Sequence, residues 1–180
     1  MSKSSKYGSH IIVLDAIFKN IKIENVFEYG CGIYSTKFFV DHALLVESIE
    51  MQAEEWYEKI KKEVQSLYKN LILRCMLGPD DAISYFDKTN KKYDLVFVDG
   101  YGGPSRAHCV EHAFGKTPII VVHDMSIKKA KQYASIIKID PKYKYLEIES
   151  SKPHTGIYTT DIDLINKLKN IFKNKTGEIV

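Results

Sequence analysis

The chain has 180 residues, of which 44% are hydrophobic and 27% are charged, and its formal net charge is +3. This length favours a single domain, residues 1–180, with a core that needs no disulfide or metal to hold it together. The small charge does not favour a nucleic-acid partner, and no apolar run approaches the ~20 residues of a membrane span. Three cysteines without a CxxC spacing and no signal-peptide pattern lead us to expect a cytoplasmic protein.

Helix-like and strand-like segments alternate along most of the chain. In chain order we predict a helix at 10–19, a strand at 24–28, a helix at 35–42, a strand at 43–49, a helix at 53–68, a strand at 71–77 and a helix at 81–87. There follow a strand at 93–98, a helix at 106–114, a strand at 118–123 and a helix at 127–137. Such alternation is typical of βαβ units whose strands form a parallel sheet.

The C-terminal part has a different pattern. Two strand-like segments at 145–149 and 155–159 are separated only by SSKPH, which predicts an antiparallel hairpin at one edge of the sheet. A last helix at 161–172 has apolar residues at helical spacing, with Asp161 as a possible N-cap. The sequence therefore predicts an α/β fold with a mostly parallel sheet and an antiparallel C-terminal hairpin.

The stretch FEYGCGIYST places Gly30 and Gly32 at the carboxyl end of the first strand. Ligands of open α/β sheets bind beyond the carboxyl ends of the strands, and glycine allows both a tight turn and a close ligand. An acidic residue follows about 20 positions on, where a carboxylate can hold ribose hydroxyls. Glu50 is the first choice for that role and Glu47 is the alternative. These features predict a nucleoside site.

Two further features bear on which nucleoside cofactor binds. Glu28 is acidic near the end of the first strand, and Asp99 follows the fourth strand in VDG. Negative charge at this edge does not help a pyrophosphate but favours a cationic cofactor. Ser35 stands where a dinucleotide fingerprint would have a third small residue, Gly or Ala.

The chain resembles the class I S-adenosylmethionine-dependent methyltransferases over roughly residues 10–160. The resemblance is carried by EYGCG (28–32), SIEMQAEEWY (48–57), LGPDDAISYF (77–86), YDLVFVDG (93–100) and IIVVHD (119–124). It implies a Rossmann-like three-layer sandwich with a seven-stranded sheet whose last strand is antiparallel. It also implies S-adenosylmethionine as cofactor. Glu28, Gly30 and Gly32 would lie near its methionine and ribose, Glu50 on the ribose, Asp81 and Ala82 near the adenine, and Asp99 beside the methyl, with Ser35 as a further cofactor contact.

Catalysis would need a group that accepts a proton if the methyl acceptor is a hydroxyl. The candidates are Asp99, His123 and Asp124, all at strand ends on the cofactor side. Tyr101 and Arg106 belong to a loop that either forms a substrate wall, with Arg106 pairing an anion, or is a plain turn.

Neither of two possible metal sites is favoured. Asp99 and Asp124 could hold a divalent ion, but the Asn that follows the second Asp in catechol-type methyltransferases is Met125 here. HCVEH (108–112) matches a short zinc motif, but no third ligand is evident, and a solvated helix explains it equally well.

The sequence analysis leads to an O-methyltransferase acting on a hydroxyl of a sugar, polysaccharide or other acceptor, including a small molecule or a protein group. Two alternatives stay open, an NAD-type oxidoreductase on the same architecture and a non-catalytic S-adenosylmethionine-binding module. Because no inserted segment encloses the site, it is either open or completed by a second copy in a homo-oligomer. Trp56 is expected to pack in the core or beside the adenine, and residues 7–10 either cover the cofactor or fray.

Overall fold

A computed structural model of the protein describes residues 8–125, 136–149, 151, 153–173 and 176–177. The α-helices are α1 (Ile11–Asn20), α2 (Ser35–His42), α3 (Glu54–Glu63), α4 (Pro79–Lys88), α5 (Pro104–Ala113) and α6 (Ile162–Ile171). The strands are β1 (Asn25–Tyr29), β2 (Leu45–Glu50), β3 (Leu71–Cys75), β4 (Leu95–Val98), β5 (Ile119–His123), β6 (Lys144–Ile148), β7 (Thr155–Thr159) and β8 (Thr176–Gly177).

All of these strands join one sheet in the order β3-β2-β1-β4-β5-β7-β6-β8. Strands β1 to β5 run parallel, whereas β7 is antiparallel to both β5 and β6. The strand order reverses beside β1, because β2 and β4 lie on its two sides. The predicted seven strands and antiparallel hairpin are confirmed. The two-residue β8, which pairs with β6, is an additional strand that the sequence pattern did not predict.

Helices cover both faces of the sheet, as the three-layer prediction required. One core cluster joins strand residues such as Val26 and Phe97 to apolar residues of α1, α2 and α6. The second cluster lies on the other face and joins Phe27 and Val96 to α4 and α5. Because alternate residues of a strand point to opposite faces, both clusters draw on the same central strands, which accordingly read as continuous apolar runs.

Most predicted elements occur with small changes at their ends. The helix predicted at 35–42 and the strand at 155–159 have the predicted bounds, and the side chain of Asp161 caps α6 by accepting from the Leu164 N–H at 3.0 Å. The helix predicted at 53–68 ends at Glu63 and continues as a 3₁₀ turn, Gln65–Leu67.

The helix predicted at 127–137 lies almost entirely outside the described residues. None of the helices in the described part of the chain combines the length and apolarity needed to cross a bilayer.

Candidate active site

A pocket of about 690 Å³ opens at the carboxyl edge of the parallel strands. Its lining comes from the segments that follow β1, β2, β4 and β5, together with His10 before α1. The volume is within the usual range for a small-molecule site, about 300–1,000 Å³. The pocket lies beside β1, where the strand order reverses, which is the expected ligand position in a doubly wound sheet.

Gly30 has no side chain because another strand end lies against it. Its φ is +87°, and a Cβ built on it would lie 2.2 Å from the Cα and the N of Gly100. The Gly30 N–H donates to the Ile49 carbonyl, and the Gly100 N–H donates to the Tyr29 carbonyl, both at 2.7 Å. The ends of β1, β2 and β4 are thereby held together. The contact with Gly100 is therefore what excludes a side chain at position 30. At Gly32 the crowding comes from Ser35, whose Oγ would lie 2.9 Å from an added Cβ.

Glu28 lies under the glycine turn and is not among the residues that line the pocket. It is fully buried, and its Oε2 accepts from the hydroxyls of Thr36 at 2.6 Å and Ser48 at 2.5 Å. Burial raises the pKa of this carboxyl to about 7, although hydrogen bonds from Ser35, Ser48 and Thr36 oppose the rise. In this structure Glu28 supports the turn from below, so its predicted contact with the cofactor stays a prediction.

Glu50 and Glu47, the two candidates for the ribose contact, point to opposite faces of β2. Glu50 lines the pocket, and its Oε1 accepts from the backbone N–H groups of Gln52 at 2.7 Å and Ala53 at 3.0 Å. Glu47 lies away from the pocket, where it is bonded to Arg74, Lys91, Tyr85 and Tyr93. Although burial raises the pKa of Glu47, these hydrogen bonds lower it to about 2. Only Glu50 is placed to contact a ligand.

Trp56 and Cys31 form the wall next to Glu50. The Trp56 indole N–H donates to the Cys31 carbonyl at 2.8 Å, which fixes the indole against the glycine turn. The Cys31 thiol donates to Glu50 Oε2 at 3.2 Å, and burial raises its pKa, so it is not a thiolate nucleophile. Trp56 packs against the core, as one of its two expected placements required, and also lines the pocket, so its place beside an adenine stays a prediction.

Asp99 and His123 meet at the opposite end of the pocket. His123 Nδ1 lies 3.0 Å from Asp99 Oδ1, and His123 Nε2 lies 3.1 Å from the Ser9 hydroxyl oxygen. Because a carboxylate can only accept a hydrogen bond, His123 Nδ1 carries the hydrogen and donates it to Asp99. The Asp99 side chain is 24% exposed and that of His123 is 6% exposed. Asp99 is therefore the more accessible of the two.

Arg106 holds this end of the pocket together from inside the protein. Its guanidinium donates to the carbonyls of Asp99 at 3.1 Å, Gly100 at 3.1 Å, Tyr101 at 2.8 Å and His123 at 2.8 Å. It also pairs with the carboxylate of Asp99 at 3.2 Å and with that of Asp124 at 3.3 Å. With a side chain only 10% exposed, Arg106 acts on the loop backbone, so its predicted pairing with a substrate anion stays a prediction.

Two non-glycine residues at this end have left-handed backbone conformations. They are Tyr101, with φ +39°, and Asp124, with φ +59°. Such conformations cost roughly 1–3 kcal/mol and persist where the surroundings impose them. Each lies beside a group that Arg106 binds, so the guanidinium is the group that stabilises the strained rim.

Some predicted residues are not brought to the pocket lining. Asp81 is exposed on α4, the neighbouring Ala82 is buried, and Tyr101 is 41% exposed outside the lining, so their predicted contacts stay predictions. In the HCVEH motif, His108 Nε2 lies 3.1 Å from His112 Nε2. The carboxylate of Glu111, the motif's acid, instead accepts from the Lys138 N–H at 2.8 Å.

The fold closely matches known enzyme structures despite low sequence identity. A Bacillus cereus O-methyltransferase in complex with S-adenosylhomocysteine is 15% identical, with a TM-score of 0.64 over 88% of this chain and 82% of that one. A Streptomyces achromogenes O-methyltransferase of tomaymycin synthesis, in complex with S-adenosylmethionine, is 14% identical, with a TM-score of 0.59 over 89% and 82%. The chain has the class I S-adenosylmethionine-dependent methyltransferase fold.

The same fold also occurs in a spermidine synthase. Spermidine synthase from Thermotoga maritima is 10% identical, with a TM-score of 0.61 over 97% of this chain and 67% of that one. No family model matches the sequence, and the search of curated proteins found no match. The likeness to methyltransferase structures therefore establishes the fold, and the reaction has to be argued from the site.

Proposed function

We propose that the protein binds S-adenosylmethionine and transfers its methyl group to a hydroxyl oxygen of an acceptor, with a sugar or polysaccharide as the first choice. The observation that carries this proposal is one pocket, on a methyltransferase fold, with a carboxylate at each end. Glu50 lies at the end of β2, where a ribose is expected, and Asp99 follows β4 on the other side of β1. The two neighbours described above hold S-adenosylhomocysteine and S-adenosylmethionine in their own structures.

The lining residues fit this cofactor. Two backbone N–H groups occupy Glu50 Oε1 and the Cys31 thiol donates to Oε2, so Oε2 keeps one lone pair that can accept from a ribose hydroxyl. Trp56 offers an aromatic face beside it. At the other end, the carboxylates of Asp99 and Asp124 favour a cationic sulfonium and disfavour a pyrophosphate. This charge argument is what sets the methyltransferase proposal above the NAD-type oxidoreductase.

Asp99 is the residue we assign as proton acceptor. When bound, the cofactor supplies a methyl group made electrophilic by its sulfonium. Asp99 takes the hydroxyl proton as the acceptor oxygen attacks, because its carboxylate is the accessible member of the pair with His123. His123 and Arg106 hold the Asp99 carboxylate in one orientation, which favours positioning of the acceptor for transfer. Asp124 would add a second negative charge to this side of the pocket and so favour a cationic cofactor.

Calorimetry with S-adenosylmethionine, S-adenosylhomocysteine and NAD tests the cofactor. We expect micromolar binding of the first two and no measurable binding of NAD. Micromolar binding of NAD without binding of S-adenosylhomocysteine would refute the proposal. Because Trp56 is the single tryptophan and lines the pocket, its fluorescence provides an independent titration.

The transfer step is tested with ¹³C-methyl-labelled S-adenosylmethionine and a panel of methyl glycosides and catechol, with new O-methyl signals detected by NMR. Asp99→Asn should retain cofactor affinity within about threefold and lose about 10²-fold or more in turnover, the usual range for a proton-transfer group. Asp163→Asn, an exposed acid on α6, is the matched control and should behave as wild type. Cofactor binding without transfer to any alcohol would favour the non-catalytic module.

A further inference from the structure

The imidazole of His10 lines the pocket at the N-terminal end of α1. It is 2% exposed, and neither ring nitrogen has a hydrogen-bond partner among the described residues. His10 is the N-cap residue of α1, but its side chain makes no capping hydrogen bond. Its backbone carbonyl accepts from the N–H groups of Val13 and Leu14, both at 3.0 Å. Buried polar groups are nearly always satisfied, so an orphan imidazole facing a pocket implies a partner that arrives with a ligand.

The imidazole lies beside Asp99, the proposed proton acceptor, and His123. Its ring packs 5.1 Å from the Phe97 ring and 4.5 Å from the His123 ring, centroid to centroid. One ligating atom each from His10, Asp99 and His123 lies within 4.8 Å of the other two. A hydroxyl oxygen that bonds two groups at a tetrahedral angle spans about 4.6 Å between them. A single acceptor hydroxyl can therefore reach both His10 and Asp99.

We propose that His10 is an acceptor-binding residue that holds the reacting hydroxyl together with Asp99. The hydroxyl donates its proton to the Asp99 carboxylate and accepts from an N–H of His10, which leaves its remaining lone pair for the methyl carbon. This assignment rests on the proposed methyl transfer and adds to it the residue that orients the acceptor.

The chemistry of the pocket end favours an uncharged alcohol as the group that His10 binds. Burial, and then His123, lower the pKa of His10 to about 4, although Asp99 opposes the shift, so the ring is neutral at physiological pH. A neutral imidazole offers one donor and one acceptor. Asp99 and Asp124 offer only acceptors, and the single Arg106 guanidinium is bonded to protein carbonyls and to both of these carboxylates, which leaves a net negative charge. A carboxylate ligand would be repelled, whereas a hydroxyl can both donate and accept.

The test uses the full chain with two substitutions at His10. His10→Phe keeps a ring without polar atoms, His10→Gln keeps an N–H donor, and His42→Phe is a control that removes an exposed imidazole. The probe is whichever alcohol of the panel, methyl β-D-glucopyranoside or catechol, is turned over fastest. We expect His10→Phe to lose at least about tenfold in kcat/KM, equivalent to about 1.4 kcal/mol. His10→Gln should recover part of that loss, and affinity for S-adenosylhomocysteine should stay within about twofold of wild type in all variants.

Several outcomes would overturn the assignment. Unchanged kcat/KM in both His10 variants would remove His10 from acceptor binding, and a parallel loss of S-adenosylhomocysteine affinity would make it a cofactor-supporting residue. His10 would instead be a metal ligand if EDTA abolished transfer and the wild-type protein purified with a bound metal ion that the His10→Phe variant lacked. If S-adenosylhomocysteine binds but neither alcohol is methylated or shifts the His10 ¹⁵N signals, the His10 proposal fails while the cofactor half of the proposed function stands.

Discussion

Replacing Gly30 by alanine should be the most damaging glycine substitution in the pocket region. Two costs add at this position. A left-handed conformation costs a residue with a Cβ about 1–2 kcal/mol, and Gly30 has φ +87°. The Cβ would also lie 2.2 Å from two backbone atoms of Gly100, and overpacking of this kind costs about 1–3 kcal/mol. The expected loss in the free energy of unfolding is therefore roughly 2–5 kcal/mol.

The two costs can be separated with alanine substitutions at other glycines. Gly115 has φ +76° and open space around a Cβ, so Gly115→Ala should lose only the conformational part, about 1–2 kcal/mol. Gly102 has open space and no left-handed φ, so Gly102→Ala should change stability by less than about 0.5 kcal/mol.

Urea denaturation followed by Trp56 fluorescence and by circular dichroism measures all three variants. If Gly30→Ala costs no more than Gly115→Ala, the contact between the ends of β1 and β4 does not exclude a side chain, and our account of this glycine is wrong.

Three further predictions concern the charged residues. Arg106→Met should lose about 1–3 kcal/mol of stability in the same urea assay, because the loop carbonyls and two partly exposed carboxylates lose their donor; Arg106→Lys should recover less than half, since one ammonium cannot reach both loops. Glu28 has its folded-state pKa raised from 4.5 to about 7, so its protonated form is favoured in the fold and stability falls as pH rises from about 4.5 to 7. The free energy of unfolding of Glu28→Gln should therefore exceed that of wild type by up to about 3 kcal/mol at pH 8 and by little at pH 4. An equal difference at the two pH values would contradict the raised pKa of Glu28. Glu50→Gln should weaken S-adenosylhomocysteine binding at least about tenfold in calorimetry whereas Glu47→Gln leaves it within about twofold, and the reverse order would exchange their roles.

Much of the fold follows from local patterns in the sequence. The alternating segments and the apolar runs of the central strands suffice for a doubly wound sheet, because burial on both faces has a direct compositional signature. The short spacing between 145–149 and 155–159 likewise suffices for the hairpin. The two-residue β8 carries too little pattern to be seen, and the end of α3 depends on where the chain must turn toward β3.

The site was predictable where strand geometry alone places a residue. Glu50 and Asp99 follow from their positions at strand ends, and the period of two along β2 already separates Glu50 from Glu47. The roles of Arg106 and His10 depend on contacts distant in sequence. His10 reaches His123 only after α1 and β5 are assembled, and nothing near Arg106 in the sequence shows that its guanidinium binds the carbonyls of two different loops.

The Arg106 guanidinium makes the loops after β4 and β5 one mechanical unit. A substitution that shifts either loop will be felt in the other, since both are tethered to the same planar group. Exchanges of residues 101–103 should therefore retain the arginine and treat Asp124 as part of the same unit. Variation that keeps Arg106 can change the rim of the pocket without moving its carboxylates.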